Sequence, residues 1–139
     1  MKKQVFTLDN DGFIGAYYGG PENSKKGVIL MLGDSSEDRM ARCGAKWLVD
    51  NGCHALCMSA DKKDYGHHNY PLERFGYAIS FLKSKGIEKI GIAGASTTGM
   101  LALVVASYYP EIALTIAMSP PDFVMEGFYQ DGKDGAHNT

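Results

Sequence analysis

No apolar run in this sequence approaches the ~18 residues that a membrane-spanning helix needs. The longest, MLALVVA at 100–106, fits the buried face of a helix instead. The N-terminal stretch MKKQVFTLDNDG has two lysines but no apolar segment after them, so it does not read as a secretory signal. There is no basic excess either. Fourteen Lys and Arg stand against sixteen Asp and Glu, a net charge of −2 that suggests neither a nucleic-acid nor an anionic-membrane partner. Cysteine is scarce: Cys43, Cys53 and Cys57 are an odd number without zinc-type spacing. Packing is their expected role, no metal site is expected, and a reducing cytoplasm is the expected compartment. The P-loop and dinucleotide glycine patterns are missing too, and no cofactor is expected. Repeats, low-complexity tracts and linkers are also lacking, so 1–139 is expected to form one domain, with 129–139 as a flexible tail.

What is present is an alternation of two kinds of segment. Residues 3–8 (KQVFTL) and 13–18 (FIGAYY) are rich in β-formers and flank Asp9-Asn10-Asp11-Gly12, which predicts a hairpin with Gly12 at positive φ. Continuous apolar runs at 28–32 (VILML), 53–58 (CHALCM), 90–93 (IGIA) and 114–118 (LTIAM) predict strands covered on both faces. Between them lie helical patterns. Met40, Cys43, Trp47 and Leu48 recur at helical spacing before Asn51-Gly52. Leu72, Phe75, Ile79 and Leu82 form a stripe between Pro71 and Gly86, and a third helix covers 98–109 up to Pro110. A hairpin followed by β-α-β-α-β-α-β predicts an α/β fold: a largely parallel sheet with helices on both faces.

Residues 94–100 read GASTTGM directly after the strand IEKIGIA. A strand-to-helix turn can hold a nucleophile clear of the sheet, provided small neighbours let strand and helix pass closely. Gly94, Ala95 and Gly99 around Ser96 meet that demand, although Thr98 stands where G-x-S-x-G has its second glycine. The helix N-terminus beyond Ser96 would stabilise an oxyanion. The Thr97 N–H is the expected first donor. The second is expected from the loop LGDSSED, at Ser35 or alternatively Asp34. The plainer reading of Ser96 is a helix N-cap residue.

The stretch from 70 to 128 resembles the core of α/β-hydrolases. More narrowly, it is similar to the C-terminal catalytic domain of acyl-CoA thioester hydrolases and bile acid-CoA:amino acid N-acyltransferases. The residues that carry this are Pro71-Leu72-Glu73-Arg74-Phe75, Leu82-Lys83, Ser96, Ala106 to Glu111, Ser119-Pro120 and Gly127-Phe128, all in register. GVILMLGDSSED and WLVDNGCHALCM extend the resemblance upstream to about residue 25. It implies a hydrolase-like three-layer sandwich and serine acyl transfer. Ser96 would attack a small-molecule thioester or ester, and water or an amine would then take the acyl group. A nucleotide-binding or flavodoxin-like module is the third alternative, after this enzyme and a non-catalytic remnant.

In α/β-hydrolases acid and histidine follow the nucleophile in chain order. Here the sequence is expected to be truncated, lacking the last strands of the full fold. After Ser96 the only histidine is His137, in the expected tail. His67 and His68 follow the CHALCM strand and are the candidate bases, though solvated loop histidines are the simpler reading. His54, inside the strand, reads as structural. Asp122 is the candidate acid, with nothing in its spacing to favour it over Asp131 or Asp134. Little or no activity is expected of this chain alone. The last strand, LTIAM, is expected to present an open apolar edge through which the protein forms a homo-oligomer.

Overall fold

The computed structural model describes residues 2–58 and 70–124. His67, His68, Asp131, Asp134, His137 and the expected tail at 129–139 lie outside them.

Six strands form one sheet. They are β1 (Lys3–Phe6), β2 (Gly15–Tyr18), β3 (Lys26–Met31), β4 (His54–Met58), β5 (Lys89–Ala95) and β6 (Ile112–Met118). Their order across the sheet is β1-β2-β4-β3-β5-β6. β1 runs antiparallel to β2, and β2 antiparallel to β4; β4, β3, β5 and β6 are mutually parallel. This is the predicted architecture, with one difference at the start. The predicted tight turn between β1 and β2 holds a one-turn helix, α1 (Leu8–Asp11). The Asp11 carboxylate accepts the Thr7 N–H at 2.8 Å and closes that turn. Gly12 takes the left-handed conformation that ends it, at φ 78°.

Alternate side chains along the central strands face two separate cores. Ile29, Met31, Leu56, Met58, Ile90 and Ile92 point towards α3 (Glu73–Ser84) and α4 (Thr97–Tyr108), where Phe75, Ile79, Leu82 and Val105 meet them. Leu30, Ala55, Cys57 and Ala93 face α2 (Arg39–Asp50) on the other side. Burial pushes the Cys57 thiol up to about 12, helped by the negative charge of Asp38, so this cysteine is an inert packing residue. Among the described residues no helix is long and apolar enough to cross a membrane.

α2 corrects the expected apolar stripe. Met40 and Trp47 are 58% and 65% exposed, and Cys43 is exposed with them. The buried face is built from Ala41, Ala45 and Leu48. The helix packs too close for larger groups: a Cβ at Gly44 would lie 2.6 Å from Leu30 Cδ2. Small residues, which carry little weight in a periodicity argument, set the contact.

β6 is exposed on the same side of the sheet. Ile116 pairs in register with Ala93, which faces α2, so Leu114, Ile116 and Met118 share that face. α2 covers β2, β3 and β4 but not β6. Leu114 and Ile116 are consequently 63% and 50% exposed.

His54 is the one histidine among the described residues, and it is structural, as its place in a buried strand suggests. Its Nδ1 accepts the Gly20 N–H at 3.0 Å and the Tyr17 hydroxyl at 2.7 Å. An acceptor Nδ1 requires the proton on Nε2, which donates to the Ser24 carbonyl at 3.1 Å. The ring thus ties β2 and the loop before β3 to the start of β4. A His54→Leu substitution strands the Gly20 and Ser24 groups, each worth about 1–3 kcal/mol when buried without a partner. Urea denaturation should show a loss of about 2 kcal/mol or more; a change below about 0.5 kcal/mol would deny the network its role.

Candidate active site

Ser96 sits between the last residue of β5 and the first of α4, at the carboxyl edge of the parallel strands, where open α/β sheets place their sites. Its backbone is at φ 54°, ψ −120°, a region that a residue with a Cβ enters only when its surroundings compel it. The compulsion is steric. A Cβ at Gly94 would lie 2.2 Å from the Thr98 carbonyl oxygen, so strand and helix touch backbone to backbone there. The Ser96 N–H donates to the Met118 carbonyl at 2.8 Å, which anchors the turn to the end of β6. Ser96 itself is exposed, whereas Thr97 to Met100 are buried.

Ser96 does occupy the N-cap position of α4, as the plainer reading expects, but its side chain makes no cap hydrogen bond. An N-cap residue is typically in the β region, and Ser96 is far from it. The Ser96 carbonyl accepts the Met100 N–H at 3.1 Å, which starts the helical ladder. Helical geometry leaves the Thr97 N–H without an intrahelical acceptor, at the positive end of α4. That is the arrangement expected of an oxyanion donor.

A cavity of about 220 Å³ opens beside Ser96. Gly33 and Asp34 from the loop after β3, Met40 from α2, and Thr97 and Thr98 line it with the serine. Larger depressions of about 500 and 350 Å³ lie at the amino ends of the strands, lined in part by lysines. They are remote from the serine, so its backbone and position, rather than volume, locate the site.

The loop from β3 brings Asp34 to the cavity, but its amides already have a partner. The Asp38 carboxylate accepts the Asp34 N–H at 2.7 Å and the Ser35 N–H at 3.3 Å through Oδ2. Its Oδ1 accepts the Ala41 N–H at 2.9 Å and caps α2. Desolvation pushes the Asp38 carboxyl up, but backbone N–H bonds from Ala41, Asp34, Ser35 and Met40 outweigh it and hold the group below its ordinary value. Both amides expected to face an oxyanion thus face an internal anion. Asp38 was not singled out in the sequence; the signal that could have found it is its place as an acidic residue just before a helix. Asp122 lies exposed in the bend after β6 and does not line the cavity.

Residues 70–134 match the family described as BAAT / Acyl-CoA thioester hydrolase C terminal. That is the family the chain resembles. The matched residues begin at Tyr70, so the match does not include the upstream stretch from about residue 25. Est1E from Butyrivibrio proteoclasticus is similar to 84% of this chain with a TM-score of 0.63 and 21% identity, over 51% of its own length. A PEG-bound cold-adapted esterase from an Arctic intertidal metagenomic library matches 81% of this chain, also with a TM-score of 0.63, at 20% identity and over 58% of its own length. At such identities the likeness establishes the fold, an esterase-like α/β architecture. The chain spans about half the length of these solved structures. No curated protein matches it at a significant level.

The lowered pKa of Asp38 makes its contribution pH-dependent. Ionised Asp38 stabilises the fold fully above the ordinary carboxylate pKa, and that stabilisation is lost as pH falls through the lower folded-state value. Asp38→Ala should therefore cost about 1 kcal/mol at neutral pH, the usual worth of such a cap. The gap to wild type should close in urea titrations below about pH 4. A gap that persists unchanged at low pH would contradict an ionic role.

Proposed function

We propose that this chain is an acyl-transfer serine hydrolase domain of the thioesterase or esterase type, acting on small-molecule acyl thioesters or esters. One observation carries the reading: Ser96, a non-glycine residue, is held at φ 54° in a turn where strand and helix backbones touch. Structure of that kind is maintained when a side chain must stand clear of the sheet. The match of residues 70–134 to a family described as BAAT / Acyl-CoA thioester hydrolase C terminal supports the substrate class.

In this mechanism Ser96 Oγ bonds to the carbonyl carbon of the substrate as its proton passes to a base. The carbonyl oxygen becomes an oxyanion facing the Thr97 N–H. When the tetrahedral centre collapses, the bond to the thiolate or alkoxide breaks, and the leaving group takes the proton. Water then releases the acid by the same route; an amine in its place would give the amide. The second oxyanion donor, Asp34 or Ser35, must exchange its bond to Asp38 for one to substrate. This reading leaves the base to residues beyond the described ones, where His67 and His68 lie, and the acid open between Asp122 and the later Asp131 and Asp134.

A second reading, a hydrolase-like domain that binds without turnover, draws on the Asp38 carboxylate. A negative group on the loop amides opposes a second negative charge beside them. We also propose that a second copy of the chain pairs with β6. Among the described residues that strand has β5 as its one neighbour, and IALTIAM carries no charge or proline to discourage pairing.

Two measurements test these proposals. Incubation with a fluorophosphonate should add one probe mass to the intact protein and none to Ser96→Ala; an unlabelled wild type after hours sinks the catalytic reading and leaves the binding one. Light scattering at tens of micromolar should show a dimer or larger species, and Ile116→Lys should shift it to monomer. A monodisperse wild-type monomer would refute the pairing.

A further inference from the structure

Thr98 occupies the place of the second glycine in G-x-S-x-G, and the structure shows that its side chain is engaged rather than merely tolerated. Its Oγ1 accepts the Ala95 N–H at 2.9 Å. The same hydroxyl reaches the carbonyls of Met31 and Ala95, each at 2.9 Å, and its single proton can serve only one of them at a time. Met31 is the last residue of β3 and pairs in register with Gly94 of β5. The loop that carries Gly33, Asp34 and Ser35 departs from it. The threonine hydroxyl therefore links the residue just before the nucleophile to the root of the loop opposite.

Thr98 is buried, so water offers poor competition for these bonds. The steric duty of the missing glycine falls to Gly99. A Cβ there would lie 3.2 Å from the Met118 carbonyl oxygen and 3.3 Å from that of Gly94. Steric clearance and hydrogen bonding are thus divided between adjacent residues.

We propose that Thr98 is a positioning residue whose hydroxyl keys the nucleophile turn to the end of β3, fixing the spacing between Ser96 and the loop of Asp34 and Ser35. This rests on Ser96 being the nucleophile. Although Thr98 lines the cavity, its hydroxyl is committed to backbone groups, and it acts through the two backbone segments that it joins.

Thr98→Val keeps the shape and removes the hydroxyl, and Thr98→Ser keeps the hydroxyl. Each variant of the full chain is compared with wild type in Ala95 amide hydrogen exchange and in fluorophosphonate labelling resolved into kinact and KI. With the hydroxyl gone, Ala95 should exchange on the order of tenfold faster, the loss expected for one hydrogen bond. In the same variant kinact should fall by about tenfold or more while KI stays within about threefold, because alignment and not binding is disturbed. Thr98→Ser should remain within about threefold of wild type in every quantity. Unchanged Ala95 exchange in Thr98→Val overturns the proposal, and so does unchanged kinact. If the valine variant fails to fold, the serine variant decides: loss of Ala95 protection or of kinact there shows that methyl packing, not the hydroxyl, matters. An unlabelled wild type refutes the serine mechanism separately, and the exchange comparison alone then decides whether Thr98 keys the turn.

Discussion

The backbone contact between Gly94 and the Thr98 carbonyl determines most of what is distinctive in this structure. A Cβ at position 94 would stand 2.2 Å from that oxygen, so only glycine lets α4 start where it does. With the helix so close, the chain must turn within one residue, and Ser96 absorbs the turn at positive φ. The strain of such a conformation is of order 1–3 kcal/mol and survives only when surrounding bonds over-determine it. Those bonds are visible: Ser96 N–H to Met118, Met100 N–H to Ser96, Ala95 N–H to the Thr98 hydroxyl, and that hydroxyl to the Met31 carbonyl. The turn is fixed from β3, from β6 and from its own helix.

The opposing loop obeys a different constraint. Its backbone N–H groups form a small anion-binding concavity, a feature that binds whichever negative group is nearest. Here that group is Asp38, which also caps α2. One carboxylate therefore sets both the start of a helix that covers one face of the sheet and the state of the loop beside Ser96. The carboxylate that caps α2 thus also occupies the Asp34 and Ser35 N–H donors of the loop.

The strands and the tight strand-to-helix turn at Ser96 were legible in the sequence because each rests on a local rule. Buried parallel strands must be apolar throughout, as VILML and CHALCM are, and a tight turn must be flanked by small residues, as Ser96 is by Gly94 and Ala95. The exposed stripe of α2 was not legible. Met40, Cys43 and Trp47 have helical spacing, but Ala41, Gly44 and Ala45 share the helix, and only the close approach to Leu30 shows which side faces inward. The Asp38 bonds escaped for a related reason. A cap residue is recognisable, but the second and third amides that it captures depend on the loop geometry, which no local rule supplies. In the sequence Thr98 stands only as a departure from G-x-S-x-G, a pattern that describes volume, whereas its hydroxyl bonds to Met31, far away in the chain.

The edge of the sheet and the site are mechanically one unit. Met118, the last residue of β6, accepts the Ser96 N–H, and its carbonyl stands next to the space that Gly99 leaves open. β6 is held by β5 on one side and by α4 on one face, while Leu114, Ile116 and Met118 remain exposed on the other. The anchor of the Ser96 turn is therefore an edge strand with one bare face. Local opening has the lowest free energy where buried apolar contacts are fewest. Fraying at the end of β6 would remove the Met118 carbonyl from the Ser96 N–H and with it one of the bonds that hold the strained turn. A strand or helix laid against β6 would raise the free energy of that opening without touching Ser96. The precision of the serine is thus coupled to whatever covers the apolar face of β6.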